Sequence, residues 1–357
     1  MPAAAPAAPC GEGADLVAHC TLALGPDSAG AVLHGLIDRA RTRLDAAVYE
    51  AGPGYATHLA AASRRGVPTR VLLDAHAGAN TTAAEILAAN RVDCRVLGGH
   101  PGVEAHWKLL LTGEAVAVGT GNLLHRDAPD PGQPGTREWW VVARDAPRLH
   151  AEALRAVDAA WREARRPPEA WRRPAALLPP AIPPVGVPSP RVEPVDLDIT
   201  EARLHLATGG TTVAALLHER LAGVGERAFA TVPYTHTHVA AVRALLDLLD
   251  AARGRGADVR LLLGTPPAAE DAAALLATPL QTRVRVMDPE HCTTGHAKGL
   301  VADGAAVVGS ANWSGTGLGG NRESALLLDD GRAADWFAAA FEHDWAVARP
   351  LGSPPKA

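Results

Sequence analysis

The chain has 357 residues, 47% hydrophobic and 20% charged, with a mean hydropathy of +0.01. That balance excludes wholesale disorder, collagen-like repeats and coiled coils, and the length leaves room for two domains. With 34 Lys and Arg against 39 Asp and Glu the net charge is −5, so no whole-molecule basic field gathers nucleic acid, and that partner is disfavoured short of a local basic groove.

The start MPAAAPAAPC (tail 1–18) lacks the charged and apolar regions of an export signal, and no run approaches the ~18 apolar residues of a spanning helix. The expectation is a soluble, cytoplasmic chain, with secretion left open. Cys10, Cys20, Cys94 and Cys292 form no CxxC pair, so free thiols in a reducing compartment are expected. A strand is predicted at 21–24 and a helix over 29–44, where Val32, Leu33, Leu36, Ile37 and Ala40 fall at helical spacing. Strands follow at 46–49, 69–73 and 92–97. A hairpin comes next: HWKLLL, a turn at 112–114, then AVAVGT.

The stretch 166–199 holds ten of the 29 prolines and shows no sustained period. It reads as a semi-rigid linker, with Trp161 and Trp171 packing across the two halves rather than lying on a membrane. The flanking halves resemble each other. SRRGVPTRVLLD (63–74) matches RGRGADVRLLLG (253–264), pairing Gly66 with Gly256 and Arg70 with Arg260 at an offset of 190. The second half repeats the hairpin as HAKGLV, a turn at 302–304, then AAVVGS. Strands alternating with helices imply α/β units around a mixed sheet, and two joined units can build one site at their junction.

The same offset relates two constellations: His106-Trp-Lys108 with Gly119-Thr-Gly-Asn122, and His296-Ala-Lys298 with Gly309-Ser-Ala-Asn312. The chain has only three lysines, and chance would put two of them at this spacing from a histidine with a probability of about 0.005. On a strand, positions i and i+2 share a face, so each pair would present an imidazole beside an ammonium. One imidazole can act as a nucleophile and the other as a proton donor, while two ammonium groups and two Asn amides complement the charge of a phosphoryl transition state. A lysine's compact charge is not interchangeable with the arginine used elsewhere in this chain.

The second constellation, HAKGLVADGAAVVGSANWS with NRES after it, resembles the signature of the phospholipase D superfamily: His-x-Lys, Asp, Gly-Ser-x-Asn and a downstream Glu. The first is similar but degraded. The resemblance covers nearly the whole chain outside the N-terminal tail and the linker. It implies two pseudo-twofold related phospholipase D-like α/β repeats with mixed sheets, 19–165 and 200–350, with the site at their interface and a C-terminal tail at 351–357. The expected state is a monomer that forms an internal pseudo-dimer. The implied activity is hydrolysis or transphosphatidylation of a phospholipid, or of another phosphodiester, through a covalent phosphohistidine. The resemblance implies no cofactor and no metal, and it brings transient contact with a membrane surface. A nuclease of the same superfamily and a catalytically degenerate phosphate-binding member stand as alternatives.

Carried over residue by residue, the resemblance makes His106 the nucleophile and His296 the general acid, an order that could be reversed. Lys108, Lys298, Asn122 and Asn312 would grip the phosphate, with Ser310 and Thr120 as weaker candidates. Glu323 and, by analogy, Glu138 would accept the other imidazole N–H and fix its tautomer. Asp303 belongs to the motif, whereas Gly113 stands where its mate is expected, which predicts poorer orientation of the first half. Other signals are discounted. GTGLGG (315–320) precedes a strand-like run rather than the helix of a dinucleotide site, and reads as a mobile loop. His236 and His238 lack a third ligand, Asp74 and His76 follow a buried strand toward the cleft, and Trp107, Trp139, Trp140 and Trp313 read as core.

Overall fold

A computed structural model describes residues 16–98, 103–130, 132–172 and 192–353. The first half runs β1 (Val17–Gly25), α1 (Ala29–Arg39), β2 (Leu44–Val48), α2 (Pro53–Arg64), β3 (Thr69–Asp74), α3 (Asn80–Ala89), β4 (Asp93–Leu97), β5 (Lys108–Thr112), β6 (Ala115–Gly119), β7 (Glu138–Arg144) and α4 (Pro147–Glu163), and closes with β8 (Val195–Thr200). The second runs β9 (Leu204–Thr208), α5 (Gly210–Ala222), β10 (Arg227–Val232), α6 (Ala240–Gly254), β11 (Asp258–Leu263), α7 (Ala269–Leu276), β12 (Val284–Val286), β13 (Gly299–Ala302), β14 (Ala305–Gly309), β15 (Ser324–Leu328), α8 (Gly331–Val347) and β16 (Arg349–Pro350).

Each half builds an eight-stranded mixed sheet, ordered β4-β3-β2-β5-β6-β7-β1-β8 and β16-β12-β11-β10-β13-β14-β15-β9. The βαβ crossovers make β2, β3 and β4 parallel, while the hairpin strands β5, β6 and β7 run antiparallel. Alternation of apolar residues on these strands feeds separate cores. Leu44, Ala46 and Val48 of β2 join the helices α1 and α2 on one face, and Ala47 joins a core shared by both halves. That shared core stacks Trp139 of β7 on Phe337 of α8, with ring centroids 4.5 Å apart. Helix α8 starts where the Asp330 carboxylate accepts the N–H groups of Arg332 and Ala333, and α2 and α4 start with Pro in the first turn.

Three expectations are corrected. The segment 195–199, assigned to the linker, is strand and pairs antiparallel with β1; residues 173–191 of that linker lie outside the described residues, as does Cys10. Trp171 packs against the core of the first half alone, whereas Trp161 lines the core shared by both halves as expected, with the guanidinium groups of Arg70 and Arg95 5.0 and 4.6 Å from its ring centre. The helix predicted over 29–44 ends at Arg39, because Ala40 turns extended to lead into β2. Among the described residues no helix is long and apolar enough to cross a membrane. Cys20, Cys94 and Cys292 are free thiols, and burial pushes each up to about 12.

The two halves are in close contact where Gly299, next to Lys298, lies against the Trp139 indole. A Cβ on Gly299 would stand 2.2 Å from that ring. Gly299→Ala should therefore cost about 1–3 kcal/mol by overpacking, read as a lower denaturant midpoint; an unchanged midpoint would show that the ring yields freely.

Candidate active site

Both motif histidines sit just outside their strands. β5 begins at Lys108 and β13 at Gly299, so His106, His296 and Lys298 lie in the extended entries rather than on the strands as predicted. The reason is a crossing between the halves. The Arg137 N–H donates to Thr294 O (2.9 Å) and the His296 N–H to Arg137 O (3.0 Å), while the Arg322 N–H donates to Glu104 O (2.9 Å). Each entry is thus paired with a loop of the opposite half. The Arg137 side chain, 1% exposed, locks this crossing by donating to Asp27 (2.8 Å), Gly25 O (3.0 Å) and Asp344 (3.1 Å). On the other side Asp74, fully buried, accepts the Ala105 N–H at 2.8 Å and so braces the entry to His106; the His76 side chain turns outward.

The imidazole–carboxylate pairs are crossed as well. His106 Nδ1 lies 3.0 Å from Oε2 of Glu323, and His296 Nδ1 lies 2.5 Å from Oε1 of Glu138. A carboxylate can only accept, so each Nδ1 carries a proton and each Nε2 faces away from the carboxylate, available to attack or to exchange a proton. Both carboxylates are fully buried. Glu323 also accepts from the Ser310 hydroxyl and from Asn321 Nδ2 (3.2 Å); Glu138 accepts from Thr120 Oγ1 (2.5 Å) and Thr136 Oγ1 (3.1 Å). Ser310 and Thr120, expected on the phosphate, instead hold the carboxylates, and both are fully buried. Their oxygens also accept the N–H of Ser324 and of Trp139, both 2.9 Å.

The ammonium groups lie between these pairs. Lys108 Nζ donates to His106 O (2.9 Å) and lies 5.1 Å from the centre of the Tyr49 ring, which packs on His106 at 4.9 Å. Lys298 Nζ lies within 3.0 Å of both ring nitrogens of His296 and donates to Thr120 O of the first half (3.2 Å). Burial pushes His106 down to about 4, against the pull of Glu323 and with the help of the two lysine charges. Burial pushes Lys108 down to about 8, against Glu323, Asp127 and Glu138. It pushes Lys298 down to about 7, helped by Lys108 and opposed chiefly by Glu138. Burial alone would raise the Glu138 carboxyl, but the charges of His296 and Lys298 and the bonds from His296 and Thr120 hold it below the usual range. Among the described residues, the amide oxygens of Asn122 and Asn312 are buried without a protein partner, a cost of about 1–3 kcal/mol each that a ligand in the cleft would relieve.

Asp303 is not part of this centre. It sits on the turn between β13 and β14, where its carboxylate accepts the N–H groups of Gly225, Glu226 and Arg227 at 2.8–2.9 Å. Those bonds outweigh its partial burial and hold it below the usual range. Gly113 occupies the matching turn at the far end of β5, so its lack of a carboxylate does not disorient His106. Sequence reasoning missed Asn321, Thr136, Tyr49, Arg137 and Asp127. Asn321 and Thr136 each stand two residues before a site Glu, a regularity visible in NRES and TRE. The other signals fall away from the centre: residues 315–320 form turns with Leu318 buried, and His236 and His238 stack on each other in a loop. His291, His343 and Asp344 have the spacing of a metal group, but the Arg137 guanidinium already neutralises that carboxylate.

A family model described as "Cardiolipin synthase, PLD-like domain" matches residues 225–345, which carry His296, Lys298, Asn312 and Glu323. No curated protein matches the chain. Among solved structures, the phosphatidylserine synthase of Haemophilus influenzae Rd KW20 is similar with 13% identity and a TM-score of 0.61, over 91% of this chain and 85% of that one. The polyphosphate kinase of Porphyromonas gingivalis is similar with 14% identity and a TM-score of 0.59, over 91% of this chain and 50% of that one. Nuc of Salmonella typhimurium, a phospholipase D family member, shares 22% identity over 42% of this chain and 97% of its own, with a TM-score of 0.37. At these identities the first two share the fold.

Proposed function

We propose that the chain is a member of the phospholipase D superfamily, whose PLD-like family model matches residues 225–345, and that it hydrolyses, or transfers to an alcohol, the head group of a phospholipid through a phosphohistidine on His106. The observation that carries this reading is the crossed pair of imidazoles, each tied through Nδ1 to a buried carboxylate of the other half and flanked by a buried lysine. The name of the matched family model, a cardiolipin synthase domain, supports a phospholipid as substrate.

In the first step His106 Nε2 attacks phosphorus. The P–N bond forms, the P–O bond to the head-group alcohol breaks, and His296 gives its Nε2 proton to the departing oxygen. His106, neutral above about 4, keeps its lone pair across the physiological range. In the second step His296 takes a proton from water or an alcohol, whose oxygen attacks phosphorus and breaks the P–N bond. Lys108, Lys298, Asn122 and Asn312 cover the non-bridging oxygens, so the positive charge that a metal supplies in other phosphoryl enzymes comes here from ammonium groups. His296, with 26% of its side chain exposed against 7% for His106, is the one that water or an incoming alcohol can reach.

The test is a panel of phospholipids, single-stranded DNA and an aryl phosphodiester, assayed with chelator present and quenched in alkali to preserve any phosphohistidine. Phospholipid turnover with label on His106 is the expected result. Selective cleavage of DNA would replace the reading with that of a nuclease, and the absence of label with every substrate would leave a phosphate-binding protein.

A further inference from the structure

Asp127 lies five residues after Asn122, is 1% exposed and belongs to none of the motif positions. Its Oδ2 accepts the Asn122 N–H (2.9 Å), while its Oδ1 accepts from Arg126 Nε (3.2 Å) and Thr136 Oγ1 (3.4 Å). Through Thr136 it shares a donor with Glu138, and polar atoms of Asp127, Glu138 and His296 lie within 4.8 Å of one another. The second half has no counterpart. The 190-residue offset puts Gly317 there, and the Ser314 hydroxyl accepts the Gly317 N–H (3.1 Å). A Cβ at Gly317 would stand 2.4 Å from Asn312 O, so no side chain fits.

Shaping this loop therefore does not require a charge, since the second half manages with a hydroxyl. A carboxylate desolvated at this depth needs positive partners; besides the exposed Arg126 it has the Lys298 ammonium, which lies within 3.0 Å of the His296 ring whose nitrogen is within 4.8 Å of the Asp127 carboxylate. We propose that Asp127 is a positioning residue whose negative charge keeps Lys108 and Lys298 protonated while its Oδ2 fixes Asn122 against the substrate phosphate. The other groups that face these ammoniums are Glu138, Glu323 and His296 around Lys298, and Glu323, Glu138, Glu50 and His106 around Lys108; each lysine also opposes the other. With Lys298 already down to about 7 and Lys108 to about 8, loss of a nearby negative charge lowers both further. The alkaline limb of kcat/KM then moves to lower pH.

The proposal rests on the phosphodiesterase reading only for that kinetic readout. The chain's three lysines permit a direct one: a pH titration of 13C,15N-lysine resonances in the full chain, comparing the parent with Asp127→Asn, Asp127→Ser and Asp127→Glu. The Asn and Ser variants remove the charge but keep an acceptor for the Asn122 N–H, so either one that folds suffices. Expected are two lysines titrating well below Lys356, both moving down by about half a unit or more in the uncharged variants and staying in place in Asp127→Glu. Turnover at pH 8 should fall about tenfold and at pH 6 less than about threefold. Unmoved lysine titrations in a folded uncharged variant, or an equal loss of rate at every pH, would overturn the proposal. Shifted titrations in a protein that turns over no diester would leave it standing and remove the phosphodiesterase reading instead.

Discussion

Alanine at His106 or at His296 should lower turnover of a phospholipid by at least about four orders of magnitude, because in the proposed mechanism each substitution removes a group that forms or breaks a bond. The two losses differ in kind. Without His106 there is no Nε2 lone pair to attack phosphorus, so no label is trapped and no leaving group restores the rate. Without His296 the proton donor for the departing alcohol is missing, and an aryl diester, whose phenolate leaves without a proton, can still phosphorylate His106. The intermediate then accumulates, because the same residue activates water in the second step. The measurement is a rapid-quench time course with an aryl phosphodiester: a stoichiometric burst in His296→Ala and none in His106→Ala. The reverse pattern would exchange the two roles, and a few per cent of residual steady-state rate in both variants would remove covalent catalysis. Chelator should leave the parent rate unchanged, since two buried ammonium groups stand where the phosphate charge develops.

The sequence shows the repeat, its strand–helix alternation and the four histidines and lysines, because an offset of 190 is a property of order along the chain. It does not show which histidine meets which glutamate. Self-similarity treats each repeat as a unit, whereas Glu138 opens β7, Glu323 immediately precedes β15, and both sheets contribute to the one shared core. A side chain at the start of either strand reaches the opposite half. The distance of Asp303 from the centre was legible in principle: it lies five positions beyond Lys298, past the end of β13, a rise of roughly 16 Å. The hydroxyls of Ser310 and Thr120 were misread for another reason. Nothing in a sequence says that a buried carboxylate accepting from an imidazole will still take two more donors, although its spare lone pairs require them.

The crossed pairing makes a prediction that an uncrossed one reverses. Glu323→Gln should behave as a weakened His106, and Glu138→Gln as a weakened His296. In each case a neutral amide replaces the acceptor of the Nδ1 proton, so the ring loses the partner that fixes its tautomer and steadies its positive charge. For a triad-type imidazole this substitution costs about 10²–10⁴ in rate. The amide is also badly matched to its other neighbours, because Ser310 and Asn321, or Thr120 and Thr136, all present donors. The discriminating quantity is dependence on the leaving group. Glu138→Gln should recover most of its loss in the first step when the head-group alcohol is replaced by a good phenol, since only proton donation was impaired. Glu323→Gln should not recover, since the attacking nitrogen itself is compromised. A double substitution pairing each Glu with its histidine supplies the check: His296→Ala with Glu138→Gln should be little worse than His296→Ala alone, whereas His296→Ala with Glu323→Gln should lose the burst as well. If the burst survives Glu323→Gln and vanishes with Glu138→Gln, each carboxylate serves the histidine of its own repeat in solution.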